Sequence, residues 1–335
     1  MPRIVRLHAF GGPENLKVDE LPSRQPGPGE ARLRVEAAGL SRDQFMFMSG
    51  HQFEGTGFVQ PELPSRLGYE VAGVVDAVGE GVDPSWIGKR VAPIGPFDES
   101  LYGSLGEEGI VPADLLCEYP ATLTPAEAAA LWVPYLTAYG VVTVGGIGSG
   151  DFVSIPAASS AVGLAAIQIV RDAGATPIAV TRTAAKADQL RALGAADVIV
   201  TQDEDYATRI AEITSGRGVR VTFDPIGGDF VQELAAAASP GGIIIEYGIL
   251  AGGPGLFPQD FVIGKSLTIR GYTVGEILSD PKVREHATAH VLERLADGRF
   301  TPRVAKTFQL DQVVDAFAYI QSEQQLGRTV VTVAS

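Results

Sequence analysis

The stretch that most constrains the fold is residues 151–174, DFVSIPAASSAVGLAAIQIVRDAG. Residues 152–155 form a short β-prone run, residues 157–160 form a turn of small residues, and residues 161–173 have a helical pattern with small side chains on one side. This order is typical of a nucleotide-binding unit, because a pyrophosphate needs close backbone approach and unpaired N–H groups at a helix start. The same pattern also fits ordinary packing of a helix on a strand.

The glycine fingerprint of such a turn is incomplete. Against G-x-G-x-x-G, the chain has Ala158, Ser160 and Gly163, so only the third position is glycine. We expect Gly163 to let the helix lie close to the sheet, and the serine hydroxyls to hydrogen-bond a phosphate oxygen. The predicted cofactor-binding residues of the turn are Ser159, Ser160, Ala161, Val162 and Gly163.

The sequence after residue 151 repeats strand and helix patterns, which favours the nucleotide interpretation. Strand candidates are residues 152–155, 178–180, 198–200, 221–223, 243–247 and 267–269. Helical patterns lie between them up to the fifth strand, where a Gly/Pro-rich loop is expected. Six such strands predict a doubly wound parallel sheet in the order 3-2-1-4-5-6.

The first part of the chain reads differently. Runs at 4–9, 31–37 and 71–78 are β-like, without a long helical period, and indicate an all-β module of barrel type. Thr124 and Glu127 form a capping box that starts a helix, and residues 281–296 are helical in pattern. Short strands near 304–308 and 329–333 are expected to rejoin the first module. The predicted domains are therefore 1–123 with 274–335, and 124–273.

Composition excludes several classes of protein. The chain has 335 residues, 45% of them hydrophobic, which is enough for two cores. A net charge of −14 disfavours nucleic acid and anionic membranes as partners. Cys117 is the single cysteine, so the chain has no internal disulfide and no thiolate zinc cluster. The start, Met1-Pro-Arg-Ile, lacks the apolar run of a signal peptide, and we expect a cytoplasmic protein.

The residues after the second strand bear on the choice of dinucleotide. A site for NAD places a carboxylate there, whereas this chain has Thr181-Arg182-Thr183, with Lys186 one turn further on. Arg182 offers a planar fork of donors to a 2′-phosphate and Lys186 a second positive charge. NADPH is the predicted cofactor; alternatively, both side chains are solvated surface charges.

These features together resemble the medium-chain dehydrogenase/reductase superfamily, and in particular its zinc-free branch of quinone oxidoreductases similar to zeta-crystallin. The resemblance spans nearly the whole chain. It is carried by AASSAVGLAAIQ at 157–168 and by LGYEVAGVVDAVGEGV at 67–82, GKRV at 88–91, LTAYG at 136–140, LGAADVIV at 193–200, FDPIGG at 223–228 and GRTVV at 327–331.

The resemblance implies an α/β protein with a GroES-like β-barrel-type domain, a Rossmann domain and NADPH in the cleft between them. It also implies that Thr137 lies beside the nicotinamide and Gly248 near its carboxamide. The positions of the catalytic zinc ligands correspond to Ser41, Tyr69 and Val133, which are not a usual zinc set, so no metal is predicted. Asn, Asp and Tyr residues frequent in the zinc-free branch correspond to Ser41, Gln44 and Met46.

Without a metal, the predicted reaction is NADPH-dependent reduction of a conjugated acceptor, a quinone or an α,β-unsaturated carbonyl, which spreads the developing charge. Tyr69 is the leading candidate to hydrogen-bond the oxyanion, with Ser41 and Gln44 as weaker ones. A cluster of apolar residues is interpreted either as a wall for a hydrophobic substrate or as core: Phe45, Met46, Phe47, Met48 and Phe53.

Two other functions stay open. One is an enoyl reductase acting on an acyl thioester, and the other is a nucleotide-binding sensor or structural protein with little catalysis. By the same resemblance, residues 261–270 are a candidate edge for a homodimer.

Overall fold

The computed structural model describes residues 1–50 and 60–333, and their contacts divide the chain into two compact units. Unit 1 comprises Met1–Val133 and Pro302–Ser335, and unit 2 comprises Pro134–Thr301. The predicted boundaries lie at 123/124 and 273/274, whereas the contacts divide the chain later at both points.

The described part of the chain contains the following strands and helices. The strands are β1 (Arg3–Leu7), β2 (Leu16–Glu20), β3 (Glu30–Leu40), β4 (Ser65–Arg66), β5 (Val71–Val78), β6 (Arg90–Val91), β7 (Glu108–Pro112), β8 (Phe152–Ile155), β9 (Thr176–Thr181), β10 (Asp197–Val200), β11 (Val219–Asp224), β12 (Ala238–Glu246), β13 (Thr268–Gly271), β14 (Val304–Gln309) and β15 (Arg328–Thr332). The helices are α1 (Gln44–Ser49), α2 (Glu99–Tyr102), α3 (Pro125–Ala128), α4 (Trp132–Ala138), α5 (Gly140–Thr143), α6 (Ala161–Asp172), α7 (Ala187–Ala192), α8 (Tyr206–Ile213), α9 (Phe230–Ala237), α10 (Gln259–Lys265), α11 (Gly275–Leu278), α12 (Pro281–Ala296) and α13 (Val313–Gln321).

Unit 1 is built on β-sheets. One sheet has the order β2-β1-β4, and a larger one has the order β14-β15-β3-β5-β6, with β7 also paired to β3. All pairings are antiparallel except that of β14 with β15. Because β15 pairs with β3, the C-terminal strands return to the first module as predicted. The apolar faces of the strands enclose a core that includes Leu33, Leu67 and Phe317.

Unit 2 is a parallel sheet in the order β10-β9-β8-β11-β12-β13, which confirms the predicted order 3-2-1-4-5-6. Each predicted strand overlaps an observed one, and the register is parallel throughout. Strand residues such as Val153, Ile178 and Phe223 are fully buried, as expected for a sheet covered on both faces. The carboxyl ends of β8 and β11, where the strand order reverses, therefore lie side by side.

Two details differ from the sequence reading. The segment between β12 and β13 is not only a Gly/Pro-rich loop, because residues 259–265 form the short helix α10, closed by Ser266 in a left-handed conformation. The unit division is also later than predicted, since α3 packs on β3 and β5 of unit 1, whereas α12 is held to α6 of unit 2 by the Arg294–Asp172 ion pair of 2.9 Å. The predicted capping box is present: Thr124 and Glu127 bond each other's backbone N–H groups.

Candidate functional site

The turn between β8 and α6 has the features of an anion-binding helix start. Ser160 caps α6, and its Oγ accepts the N–H of Gly163 at 3.0 Å. The next backbone bond, from the N–H of Leu164 to the carbonyl of Ser160, begins the helical ladder. Among residues 1–50 and 60–333, no backbone carbonyl accepts the N–H groups of Ala161 and Val162, which begin the helix.

Close packing of the turn explains the single glycine of the fingerprint. A Cβ on Gly163 would lie 2.7 Å from the Cα and carbonyl oxygen of Ala158. Gly163 therefore lets α6 begin directly against the turn. The same turn contains Ala157 with φ +49°, a left-handed conformation that a non-glycine residue adopts at a cost of about 1–2 kcal/mol.

The end of β9 places positive charge beside this turn. Lys186 lies in a 3-10 turn after the strand, and its Nζ donates to Ser159 Oγ at 3.2 Å. Arg182 follows β9 directly and has an exposed side chain. The N–H of Ala158 in turn donates to the carbonyl of Val180 at 3.1 Å, which fixes the turn to β9. A ligand phosphate held at the serines would thus lie close to Lys186.

The two residues that the family resemblance places at the nicotinamide also belong to unit 2. Thr137 lies on α4 and is 9% exposed. Gly248 follows β12, where a Cβ would meet the carbonyl oxygen of Pro225 at 2.8 Å. The chain after β12 therefore needs glycine to approach the loop after β11. Their role toward a cofactor stays a prediction.

A pair of carboxyl groups at the ends of β11 and β12 was missed at the sequence level. Asp224 and Glu246 are register partners in the parallel sheet. The carboxylate of Asp224 is fully buried and accepts the N–H groups of Ile226 at 3.0 Å and Gly227 at 2.9 Å. Burial, followed by the charge of Asp224, raises the pKa of Glu246 to about 8, so the pair retains one proton at neutral pH.

In unit 1, a tyrosine, a serine and a carboxylate form one hydrogen-bonded cluster. Tyr69 Oη donates to one carboxylate oxygen of Asp43, and Ser41 Oγ donates to the other. Tyr69 is 5% exposed. Burial, and then the negative charge of Asp43, raise the pKa of Tyr69 well above its usual range. Tyr69 therefore stays a neutral hydrogen-bond donor, and Asp43 is the member of the cluster that sequence reasoning did not select.

Gln44, the third predicted catalytic residue, is engaged by protein groups at both ends of its amide. Its Oε1 accepts the N–H of Ser41 at 2.9 Å, and its Nε2 donates to Glu99 Oε2 at 3.3 Å. Glu99 also accepts the N–H of Gly68 at 2.8 Å. Burial raises the pKa of Glu99 to about 8. Gln44 therefore links the loop that presents Ser41 to the strand end that presents Tyr69.

A buried ion pair supports the same region from behind. Arg328 Nη2 donates to Glu70 Oε2, and the N–H of Val133 donates to Glu70 Oε1 at 3.1 Å. Both charged side chains are almost fully buried, so they stabilise the site only as a pair. Glu70 therefore has a structural role next to Tyr69.

The apolar residues around α1 belong mainly to the core. Phe47 and Met48 are buried, and Phe45 packs edge-on against Phe317 at a ring-centroid distance of 5.5 Å. Phe53 lies outside the described residues. Of the two interpretations, core packing accounts for Phe45, Phe47 and Met48.

The described residues contain neither a candidate metal cluster nor a helix suited to span a membrane. Within residues 1–50 and 60–333, no group of three or more His, Cys, Asp or Glu side chains is placed to hold a metal ion. Ser41 and Tyr69, at two of the family's zinc positions, instead share the carboxylate of Asp43. Among the described helices, none has the length and apolar content needed to span a membrane.

Comparison with known proteins assigns both units. The family model "Alcohol dehydrogenase GroES-like domain" matches residues 27–121, and the model "Zinc-binding dehydrogenase" matches residues 161–295. The chain is 30% identical over 332 residues to a 2-haloacrylate reductase of Burkholderia sp, covering 97% of each protein. It is 28% identical to a quinone oxidoreductase of Pseudomonas aeruginosa, covering 99% of each.

The fold of a solved relative agrees with this assignment. The structure of Escherichia coli quinone oxidoreductase complexed with NADPH superimposes with a TM-score of 0.89 at 26% identity, covering 98% of this chain and 99% of that one. The chain therefore belongs to the medium-chain dehydrogenase/reductase superfamily and is an oxidoreductase of that type.

Proposed function

We propose that this protein is an NADPH-dependent, zinc-independent reductase that reduces a conjugated acceptor, a quinone or an α,β-unsaturated carbonyl. The observation that carries the proposal is the turn before α6, where Ser160 caps the helix, Gly163 permits close approach and Lys186 contacts Ser159. Such a turn, at the point where the order of the parallel strands reverses, is suited to a dinucleotide pyrophosphate.

The basic residues after β9 support NADPH over NADH. Arg182 and Lys186 occupy the position where a carboxylate would hold the ribose hydroxyls of NADH and repel a 2′-phosphate. A guanidinium and an ammonium favour that phosphate through charge-assisted hydrogen bonds. The Escherichia coli relative, whose structure contains NADPH, is consistent with this choice.

Zinc independence rests on the donors that replace the metal ligands. A hydroxyl of Ser41, a phenol of Tyr69 with a raised pKa and an aliphatic Val133 offer no thiolate or imidazole to a zinc ion. The hydrogen bonds of Ser41 and Tyr69 to Asp43 give these side chains another function, which is to position hydroxyl groups.

The hydroxyl cluster suits an acceptor that needs little help with its charge. NADPH, when bound, supplies a hydride. Tyr69 remains protonated and can turn its O–H from Asp43 toward an acceptor oxygen, while Ser41 stays on the carboxylate. Gln44 fixes the backbone of Ser41 and thereby the geometry of the cluster. When a quinone or an enone is reduced, the developing negative charge is spread by conjugation, and one neutral donor can stabilise it. Reduction of an isolated ketone places the charge on one oxygen, which usually requires a metal or a stronger acid.

The test is NADPH oxidation at 340 nm with a panel of quinones, enones, saturated ketones and enoyl thioesters. We expect turnover with the conjugated free acceptors and none with the ketones, unchanged after dialysis against a chelator. Turnover with thioesters alone would assign the enoyl reductase alternative, and NADPH binding without any turnover would assign the sensor alternative.

The assignment of the cofactor is tested separately with Arg182→Ala. Loss of one charge-assisted contact of about 1.5–3 kcal/mol predicts a fall of tenfold or more in the ratio of kcat/KM for NADPH over NADH. Arg34→Ala, which changes an exposed arginine of unit 1, serves as the control. An unchanged ratio in Arg182→Ala would contradict the role of Arg182.

We also propose that two copies pair at the β13 edge of unit 2. Strand β13 is hydrogen-bonded on one side only, by β12, and three nearby apolar side chains are strongly exposed: Leu256 at 70%, Phe257 at 64% and Ile263 at 70%. Light scattering should give a dimer for the native chain, a monomer for Ile263→Glu and a dimer for Ile87→Glu, which alters an exposed residue of unit 1. A monomeric native chain would exclude this pairing.

A further inference from the structure

A groove on unit 1, which shares no lining residue with the hydroxyl cluster, is lined by two arginines. The groove has a volume of about 570 Å3 and is lined by residues that include Arg6, Glu62, Ser65, Arg66, Ser100 and Leu101. This volume lies within the range of small-molecule sites. Arg6 and Arg66 are register partners on β1 and β4, so their side chains project on the same face of the sheet about 5 Å apart at Cβ.

Arg66 is a partly buried arginine of this acidic chain. Several arginines of the described residues bind carboxylates at short distance: Arg3, Arg32, Arg42, Arg270, Arg294 and Arg299. By contrast, the side chain of Arg66 makes no hydrogen bond and no ion pair to residues 1–50 or 60–333, although it is partly buried. Because a guanidinium stays charged in proteins, Arg66 carries a partly buried positive charge that no carboxylate of residues 1–50 or 60–333 contacts.

Two neighbouring arginines add positive charge near Arg66. Burial has the largest effect and lowers the pKa of Arg66, and repulsion from Arg24 and Arg6 lowers it further. Glu108 has the opposite effect on this pKa. Glu108 is itself engaged, since it accepts Ser23 Oγ and the N–H of Arg24.

The other charged residues in and beside the groove make few contacts with described residues. Arg6 is shared between Asp19 at 3.3 Å and the carbonyl of Pro64 at 2.9 Å, and the Arg24 side chain has no described partner. Glu62 is the carboxylate that lines the groove itself, and it is exposed.

We propose that this groove is a binding site for a phosphate-bearing anion, with Arg66 as its central ligand, Arg24 and Arg6 as flanking charges and the Ser65 and Ser100 hydroxyls at its wall. A phosphoryl or diphosphoryl group fits the fork geometry of guanidinium donors and would neutralise the charge of Arg66, which no carboxylate of the described residues contacts. The residues that line the groove belong to unit 1, whereas the nucleotide turn belongs to unit 2.

The experiment is calorimetric titration of inorganic pyrophosphate into the full chain at low ionic strength, with saturating NADPH present so that the nucleotide turn is occupied. We expect one site in the native protein, about tenfold or more weaker binding in Arg66→Gln, and a smaller loss in Arg24→Gln, whose exposed side chain can be changed without altering the fold. Arg34→Gln, another exposed arginine of unit 1, should bind as the native protein does.

Two further measurements separate the sources of the phosphate. If the phosphate is carried by a substrate, Arg66→Gln should raise KM for an enoyl-coenzyme A thioester and leave KM for the matching N-acetylcysteamine thioester and for a quinone unchanged. If the anion is free, pyrophosphate binding is lost in Arg66→Gln while all three KM values stay the same. No binding to the native chain, or equal binding to native, Arg66→Gln and Arg24→Gln proteins, would overturn the proposal, whatever the outcome for hydride transfer.

Discussion

Replacing Glu99 by glutamine should remove a loss of folding stability that unit 1 undergoes as the pH rises. The Glu99 carboxyl is buried, and it accepts the N–H of Gly68 at 2.8 Å and Gln44 Nε2 at 3.3 Å. Desolvation has the largest effect on the pKa of Glu99 and raises it. The hydrogen bond from Gly68 lowers this pKa, and repulsion from Asp43 raises it. Glutamine has nearly the same shape and keeps an acceptor oxygen for Gly68, but it has no charge to bury.

The sign and size of the effect follow from linkage. The folded-state pKa of about 8 lies above the ordinary value of 4.5, so the folded state holds the proton more tightly than the unfolded state does. The contribution of Glu99 to stability is therefore complete below pH 4.5 and is lost as the pH rises toward 8. Each pKa unit corresponds to about 1.4 kcal/mol, which gives an upper limit of roughly 5 kcal/mol for the whole interval.

The two tryptophans make this measurable in unit 1 alone, because Trp86 and Trp132 both belong to that unit. Urea unfolding followed by tryptophan fluorescence at pH 5, 6.5 and 8 should show the native chain losing stability relative to Glu99→Gln as the pH rises. The variant should be the more stable protein at pH 8. Glu80→Gln, which changes an exposed glutamate, should follow the native curve. Parallel curves for native and Glu99→Gln proteins would refute the argument that Glu99 is buried with its proton.

Three other substitutions test the nucleotide turn, the hydroxyl cluster and the acid pair. Gly163→Val should weaken NADPH binding at least tenfold and destabilise unit 2 by about 1–3 kcal/mol, since its side chain would meet Ala158 at 2.7 Å; native affinity in a calorimetric titration would refute the close approach. Tyr69→Phe should lower kcat/KM for a quinone about tenfold or more and leave the NADPH Kd unchanged; equal rates would exclude Tyr69 as a donor. Glu246→Gln should raise the melting temperature at pH 8 but not at pH 5, because the raised pKa of Glu246 makes its ionisation unfavourable in the fold; a gain at both values would point to another cause.

The sequence predicted the fold of unit 2 well because the signals there are local. Short β-branched runs alternate with helical periods, and the right-handed connection rule then leaves few orders for six parallel strands. The geometry of the turn before α6 is local in the same way, since Ser160 and Ala158 both lie within five residues of Gly163. The unit boundaries depend on packing of α3 and α12, which no local pattern encodes.

The missed site residues share one physical reason. Asp43 meets Tyr69 across 26 residues of sequence, and Glu246 meets Asp224 only because β11 and β12 pair in one register. Gln44 was selected as a donor to substrate, but its amide is held by Ser41 and Glu99, 3 and 55 residues away. Contacts of this kind arise from tertiary structure, and the FDPIGG stretch that contains Asp224 was the nearest hint in the sequence.

The left-handed Ala157 has a consequence for how such proteins are found and engineered. Ala157 lies one residue before the first fingerprint position, so a glycine pattern at 158, 160 and 163 does not report its left-handed backbone. Ala157→Gly would relieve the strained torsion but give the denatured chain more freedom, so the two effects nearly cancel. The backbone conformation of the turn therefore identifies this kind of turn more directly than the presence of glycine does.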